Sequence, residues 1–314
     1  SAPIRDLVTR ADVEAARQRL AADVRATPLW RLPGAALGLD LREVWLKLEH
    51  LQVAGSFKAR GMFNRLRAQA LPAAGVLIAS GGNAGIAAAA AARAVGAPCE
   101  VFVPEISSAA KRAALAALGA NVQVVGAAYP QALEAARERQ AATGALWLHA
   151  YDQPEVVAGA GTVAAEIEAE AGLPDRLLVS VGGGGLVGGL AAWWAGRVPI
   201  DALEPEGCPT LHSARAAGAP VDVAVGGLAA DALGARRLGD IAWSVNHHIA
   251  HSHLLSDASI HEAQQCLWRE MRLAVEPAAA LPLAALRSGV VRPAPQERVV
   301  LVLCGANLDP ATLD

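Results

Sequence analysis

From Val44 onward, short apolar runs alternate with longer alanine-rich runs whose apolar positions recur at helical spacing. The apolar runs predict strands at Val44-Glu49, Gly75-Ala79, Cys99-Val103, Asn121-Val125, Ala145-His149, Arg176-Val181, Val198-Glu204 and Arg298-Cys304. Between them, helices are predicted at Ala84-Val95, Ser108-Leu118, Pro130-Ala142, Val156-Ala171 and Gly185-Ala195. An earlier helix is read over Thr9 to Val24, where Val13, Ala16, Leu20 and Val24 share a face before Thr27-Pro28 stops it. Such alternation predicts an α/β protein with parallel-rich sheets flanked by helices, in one sheet or two. On sheets of this kind ligands bind where strands end and helices begin. Chemistry is therefore sought in the strand-to-helix turns.

Three turns stand out. Gly55-Ser56-Phe57-Lys58-Ala59-Arg60-Gly61 follows the first strand and opens a helical run reaching about Leu71. Of 27 basic residues only Lys47, Lys58 and Lys111 are lysine. A chain so rich in arginine keeps lysine where arginine cannot serve, and an amine that loses its proton can condense with an aldehyde. A lysine capping a surface helix is the plainer alternative. The second turn, Ser80-Gly81-Gly82-Asn83-Ala84-Gly85, lets backbone N–H groups approach a carboxylate at a helix N-terminus. A simple tight turn would also explain it. The third holds four consecutive glycines, Gly182 to Gly185, before Leu186. Their ordering is entropically costly unless the backbone must wrap an anion such as phosphate; the alternative is a flexible linker. The spacing matches neither a dinucleotide fingerprint nor a Walker loop. Cys304-Gly305-Ala306-Asn307 closes the last strand, with Cys304 at the same edge or simply in the core.

Composition narrows the classes. The chain has 314 residues, 54% hydrophobic and 4% aromatic, with a net charge of -3. It can bury a large core in two lobes, and it has no basic run for nucleic acid or acidic membrane. No apolar window reaches the ~18 residues that span a bilayer, and Ser1 to Arg10 has no apolar signal core, so a cytoplasmic protein is expected. Cys99, Cys208, Cys266 and Cys304 form no Cys-x-x-Cys pair. His247, His248, His251 and His253 cluster, but no carboxylate or cysteine cluster supports a metal site there.

Taken in order, the lysine motif, the Asn83 loop, the polyglycine cup and the terminal Cys-Gly-x-Asn resemble the serine/threonine dehydratase (ammonia-lyase) family of fold-type II pyridoxal-phosphate enzymes. The resemblance runs from about Thr27 through Asn307, and Lys47-Leu48-Glu49 with Gln52 extends the lysine motif. It implies a large cofactor domain (1-75 and 150-314), a small mobile domain (76-149) and a homodimer. It implies that Lys58 holds pyridoxal 5'-phosphate as a Schiff base beside Phe57, and that Asn83 contacts the ring oxygen. Gly182, Gly183, Gly184, Gly185 and Leu186 would hold the phosphate, and Cys304 would face the ring nitrogen. Ser80, Gly81, Gly82 and Ala84 would take the substrate carboxylate. The implied reaction is β-elimination from L-serine and/or L-threonine, giving a 2-oxo acid and ammonia. A β-replacement synthase and a cofactor-binding sensor are the competing readings. Glu276-Pro277 resembles a segment near the cofactor, which gives Glu276 a supporting role. Glu204, Cys208 and Thr210 match the family's cation spacing, with neutral oxygens that favour potassium over magnesium. Two departures matter. Serine racemases of the family carry a serine two positions before the loop asparagine; here it is Gly81, so little racemisation is expected. The chain stops soon after Asn307, so no feedback through an appended amino-acid-binding domain is expected.

Overall fold

The computed structural model describes residues 5–313; Ser1-Ile4 of the leader reading lie outside the described residues. Among the described residues, ten strands form two sheets. The first contains β1 (Leu29–Pro33), β2 (Glu43–Lys47), β7 (Arg176–Ser180), β8 (Ile200–Pro205), β9 (His251–Leu255) and β10 (Val299–Val302). Its order is β1-β2-β10-β7-β8-β9, parallel except for β1, which runs antiparallel at the edge. The second contains β3 (Val76–Ile78), β4 (Cys99–Val103), β5 (Asn121–Val124) and β6 (Leu146–Leu148). Its order is β5-β4-β3-β6, all parallel. β3, β8 and β10 are buried along their whole length, which is why β3 and β10 read as continuous apolar runs; β8 buries Asp201 and Glu204 as well.

Among the described residues, twelve α-helices cover the sheets. The first seven are α1 (Arg10–Leu20), α2 (Lys58–Arg67), α3 (Asn83–Val95), α4 (Ala109–Ala117), α5 (Tyr129–Thr143), α6 (Pro154–Ala171) and α7 (Gly185–Trp194). The remaining five are α8 (Thr210–Ala217), α9 (Ala230–Leu233), α10 (Asp240–Ser244), α11 (Asp257–Met271) and α12 (Leu281–Ser288). All five sequence-predicted helices after Val44 are present within two residues at each end. Two others are shorter than their apolar pattern suggests. The first ends at Leu20 instead of Val24, and α2 ends at Arg67 instead of Leu71. The edge strand β1 escaped the sequence pattern: Trp30, Arg31 and Pro33 are exposed, and proline at an edge costs no ladder bond.

Three helices lock together through glycine. A Cβ on Gly159 of α6 would lie 2.7 Å from the Cα of Gly61 in α2, and one on Gly189 of α7 would lie 2.4 Å from the backbone nitrogen of Gly161 in α6. No larger residue fits those crossings, so the backbones approach closely and fix α2 against α7 through α6. A buried ionic lattice holds the root of α2. Arg60 pairs with Glu49 and Glu166, and Lys47 Nζ reaches Glu166 and the Thr27 carbonyl, each at 2.8 Å. Such groups are costly to bury unless each has a partner, and here each has one.

Candidate active site

The turns selected from sequence converge at the carboxyl ends of four parallel strands. β2 leads through 48–57 into Lys58. β3 leads into Asn83, β7 into the glycine loop, and β10 into Cys304. Phe57, Lys58, Asn83, the Gly182–Gly185 loop, Leu186 and Cys304 line one cleft. The loop carrying Lys58 is stitched to the end of β10. Phe57 N–H donates to the Cys304 carbonyl at 3.1 Å, Ala306 N–H to the Gly55 carbonyl at 2.8 Å, and Ser56 bridges Gly305. The Lys58 and Cys304 side chains are thereby presented to one space.

Lys58 is the first residue of α2, and its Nζ donates to the Ala150 carbonyl at 2.6 Å. Burial pushes its pKa down to about 8, opposed by the nearby Glu276 carboxyl. The neutral amine, the form that attacks an aldehyde, is thus reached at a lower pH than for an ordinary lysine. Burial also pushes the Cys304 thiol far above its ordinary range, so it stays protonated and uncharged.

Asn83 begins α3. Its Nδ2 donates to Glu276 Oε1 at 2.8 Å, and its Oδ1 accepts from Asn307 Nδ2 at 2.6 Å. Glu276 lies under Gly305, where a Cβ would be 1.9 Å from Oε1, so a glycine is required beside Cys304. Burial pushes the Glu276 carboxyl up to about 7, opposed by the Asn83 hydrogen bond.

The glycine loop meets Tyr151. A Cβ on Gly183 would lie 2.1 Å from Tyr151 Cγ, and Gly184 adopts φ +95° with Ala242 and Leu238 beside it. The first N–H groups of α7 have no intrahelical acceptor, and they open into the cleft. Lysine, a neutral thiol, an oriented amide and an N–H-lined glycine cup on one cleft fit a phosphorylated pyridine aldehyde.

Ser80, Gly81, Gly82 and Ala84 sit on the adjoining turn between β3 and α3. Gly82 N–H contacts Ser80 Oγ at 3.4 Å. Gly85 packs so tightly that a Cβ would stand 1.8 Å from the Ser80 carbonyl oxygen. Ala278, from the Glu276-Pro277 segment, lies on the wall, and Tyr151, Ala232, Leu233 and Ser180 complete it. The sequence reading missed these four, which carry no motif and reach the cleft only through tertiary packing. Lys111 of α4 forms an ion pair with Asp231 of α9, joining the layer around the second sheet to the cleft wall.

Glu204, Cys208 and Thr210 gather behind the glycine loop. Glu204 accepts from Thr210 Oγ1 at 3.0 Å, Leu211 N–H at 2.6 Å and His212 N–H at 3.0 Å. Thr210 Oγ1 also lies 2.6 Å from the Gly182 carbonyl oxygen, and Cys208 Sγ lies 3.2 Å from that of Gly226. Burial pushes the Glu204 carboxyl up to about 7, against the three hydrogen bonds it accepts.

An amine poised for aldehyde chemistry beside an anion cup defines an enzyme that works through a bound carbonyl cofactor. The chain belongs to the pyridoxal-phosphate dependent enzyme family, whose model matches residues 20–305, and to its fold-type II dehydratases. It is 32% identical over 308 residues to a phenylserine dehydratase from Ralstonia pickettii, covering 94% of this chain and 92% of that protein. It is 33% identical over 309 residues to an L-threonine ammonia-lyase from Geobacter sulfurreducens, covering 96% and 76%. The structure of maize serine racemase superposes with a TM-score of 0.90 at 28% identity, covering 98% and 95%. Among the described residues no helix is long and apolar enough to cross a membrane.

Proposed function

We propose that this enzyme eliminates the β-hydroxyl of L-serine and/or L-threonine, releasing a 2-oxo acid and ammonia. The observation that carries the reading is that a buried Lys58 amine, its pKa lowered to about 8, faces the same cleft as an uncharged Cys304 thiol. Pyridoxal phosphate, when bound, supplies an aldehyde for amino groups and a ring that draws electrons from Cα. A neutral thiol beside the ring nitrogen would not hold it protonated, which would temper that pull and favour loss of a β-substituent. Lys58 would hold the cofactor through Nζ and, once free, would take the Cα proton at that atom. Asn83 would orient the ring through its amide. The N–H groups of Gly182 to Leu186 would hold the phosphate. Ser80, Gly81, Gly82 and Ala84 hold the substrate carboxylate by their backbone. Residues 76–149 form a small mobile domain against 1–75 and 150–314, and the Lys111–Asp231 pair straps it to the cleft wall. The protein acts as a cytoplasmic homodimer.

Glu204 fits a monovalent cation. It is a buried carboxyl with no lysine or arginine in hydrogen-bond reach among the described residues. Thr210 has one hydroxyl proton for two acceptors, Glu204 and the Gly182 carbonyl. A potassium ion held by Glu204, Cys208 and Thr210 balances that charge and steadies the glycine loop. Equal activity in potassium and in sodium counts against it.

The deciding experiment is a panel of L-serine, L-threonine and L-phenylserine scored for 2-oxo acid with no added nucleophile. Release from serine or threonine is expected. Turnover of phenylserine alone, or only with an added nucleophile, overturns the assignment.

A further inference from the structure

Away from the cleft, the described residues bring Asp6, His247 and His248 together. Asp6 precedes α1, and the two histidines lie in the short turn Asn246–His248 between α10 and β9. Asp6 Oδ1 is 3.3 Å from His247 Nε2, and Oδ2 is 2.9 Å from His248 Nε2. The imidazole centroids are 4.0 Å apart, and one ligating atom from each residue falls within a 4.8 Å group. His253, in the same histidine-rich stretch, is engaged elsewhere, 3.2 Å from Asp201, whose other oxygen is held by Arg176.

We propose that Asp6, His247 and His248 form a surface site for a divalent transition ion of the zinc class. Two imidazole nitrogens and one carboxylate oxygen suit zinc, cobalt or nickel, and they do not suit magnesium or calcium, which take oxygen. With ligand bonds of about 2.0–2.1 Å, tetrahedral ligand atoms stand about 3.3 Å apart, which the Asp6–His247 spacing already matches. His247 is exposed, so water completes the fourth position. The site clips two distant parts of the chain. Leu7 N–H already donates to Ser244 Oγ at 3.1 Å, and Val8 is buried. The turn 246–248 packs on α7 near its carboxyl end, where Gly196 faces His248. The glycine loop lies at the other end of α7, roughly 15 Å away for ten residues at the helical rise. The ion therefore stabilises the fold by linkage and stays clear of the reacting atoms.

The test titrates zinc into tag-free, chelator-treated holoenzyme, following calorimetry and thermal unfolding. One equivalent per chain and a Tm that rises with zinc but not with magnesium are expected. His248→Ala and Asp6→Asn should each weaken binding at least about tenfold while leaving turnover intact, and His251→Ala should not change it. Absence of saturable one-equivalent binding overturns the site. So does binding that persists unchanged in both Asp6→Asn and the His247→Ala/His248→Ala double variant.

Discussion

Asn83 Nδ2 donates to Glu276 Oε1 across 2.8 Å, joining the turn after β3 to a residue 193 positions later. With Asn307 donating to its oxygen, the Asn83 amide has one orientation, and its second N–H is left for a ligand in the cleft. Glu276 thus sets the direction of a residue that the family resemblance places on the cofactor ring.

This pair makes a pH-dependent stability prediction. The folded protein holds the Glu276 carboxyl up to about 7, above its ordinary 4.5. The folded state therefore binds this proton more tightly than the unfolded chain does. The contribution is fully present below about pH 4.5 and is lost as pH rises through about 7. Glu276→Gln keeps an acceptor for Asn83 and removes the charge. The variant should equal wild type near the acid end and exceed it above pH 7 by on the order of 1–3 kcal/mol. Urea unfolding of cofactor-free protein at about pH 5 and about pH 8 measures this. An identical difference at both values refutes the assignment.

Lys58 gives a kinetic counterpart. Its amine is held down to about 8 by burial, so the neutral fraction grows with pH until that point. Colour return in stripped protein mixed with pyridoxal phosphate should quicken ~tenfold per pH unit below 8 and level off above it. Lys58→Ala should give no bound colour and lose at least ~1,000-fold in turnover. A rate flat with pH below 8 would contradict the neutral-amine account.

The residues proposed to carry chemistry were legible because each lies in a contiguous turn: Gly55–Lys58, Ser80–Gly85, Gly182–Leu186 and Cys304–Asn307. Their order at strand ends follows from the βα alternation, which the two sheets reproduce. What was illegible is tertiary. Tyr151 reaches the glycine loop only because Gly183 has no side chain. Asp6 stands 242 positions from His248, so the sequence reading found no carboxylate for the histidines where the structure supplies one. β1 was hidden by exposed residues and a proline. Glu276, expected as a support, gained its partner Asn83 only in three dimensions.

Gly183 tests the cup. Its missing Cβ would overlap Tyr151 at 2.1 Å, and that ring is pinned by its hydroxyl, which donates to the Arg237 carbonyl at 2.8 Å. Gly183→Ala should cost about 1–3 kcal/mol of stability and weaken cofactor binding at least about tenfold. Gly96→Ala, at φ +73° with open space around it, should cost stability by about 1 kcal/mol and leave the cofactor untouched. Equilibrium dialysis separates the two. Wild-type cofactor affinity in Gly183→Ala would mean the phosphate is held elsewhere.

Gly81 bears on the stereochemical outcome. In the proposed reaction Lys58 takes the Cα proton from one face, and inversion would need a second group opposite. The family's racemases carry a serine at the position that Gly81 occupies. A Cβ there would stand 3.1 Å from Val103 Cγ1 and 3.4 Å from Ser107 Oγ, so a small side chain fits with a slight shift of Val103. The wild-type enzyme should therefore form pyruvate from L-serine with D-serine below about 1% of product, a gap of roughly 2.7 kcal/mol between the two fates. Gly81→Ser should raise D-serine at least about tenfold while Lys58 chemistry persists. Chiral chromatography of the reaction measures both. D-serine forming in the wild type as fast as pyruvate would show that a second proton carrier faces the substrate. The backbone-only carboxylate turn assigned here would then be incomplete.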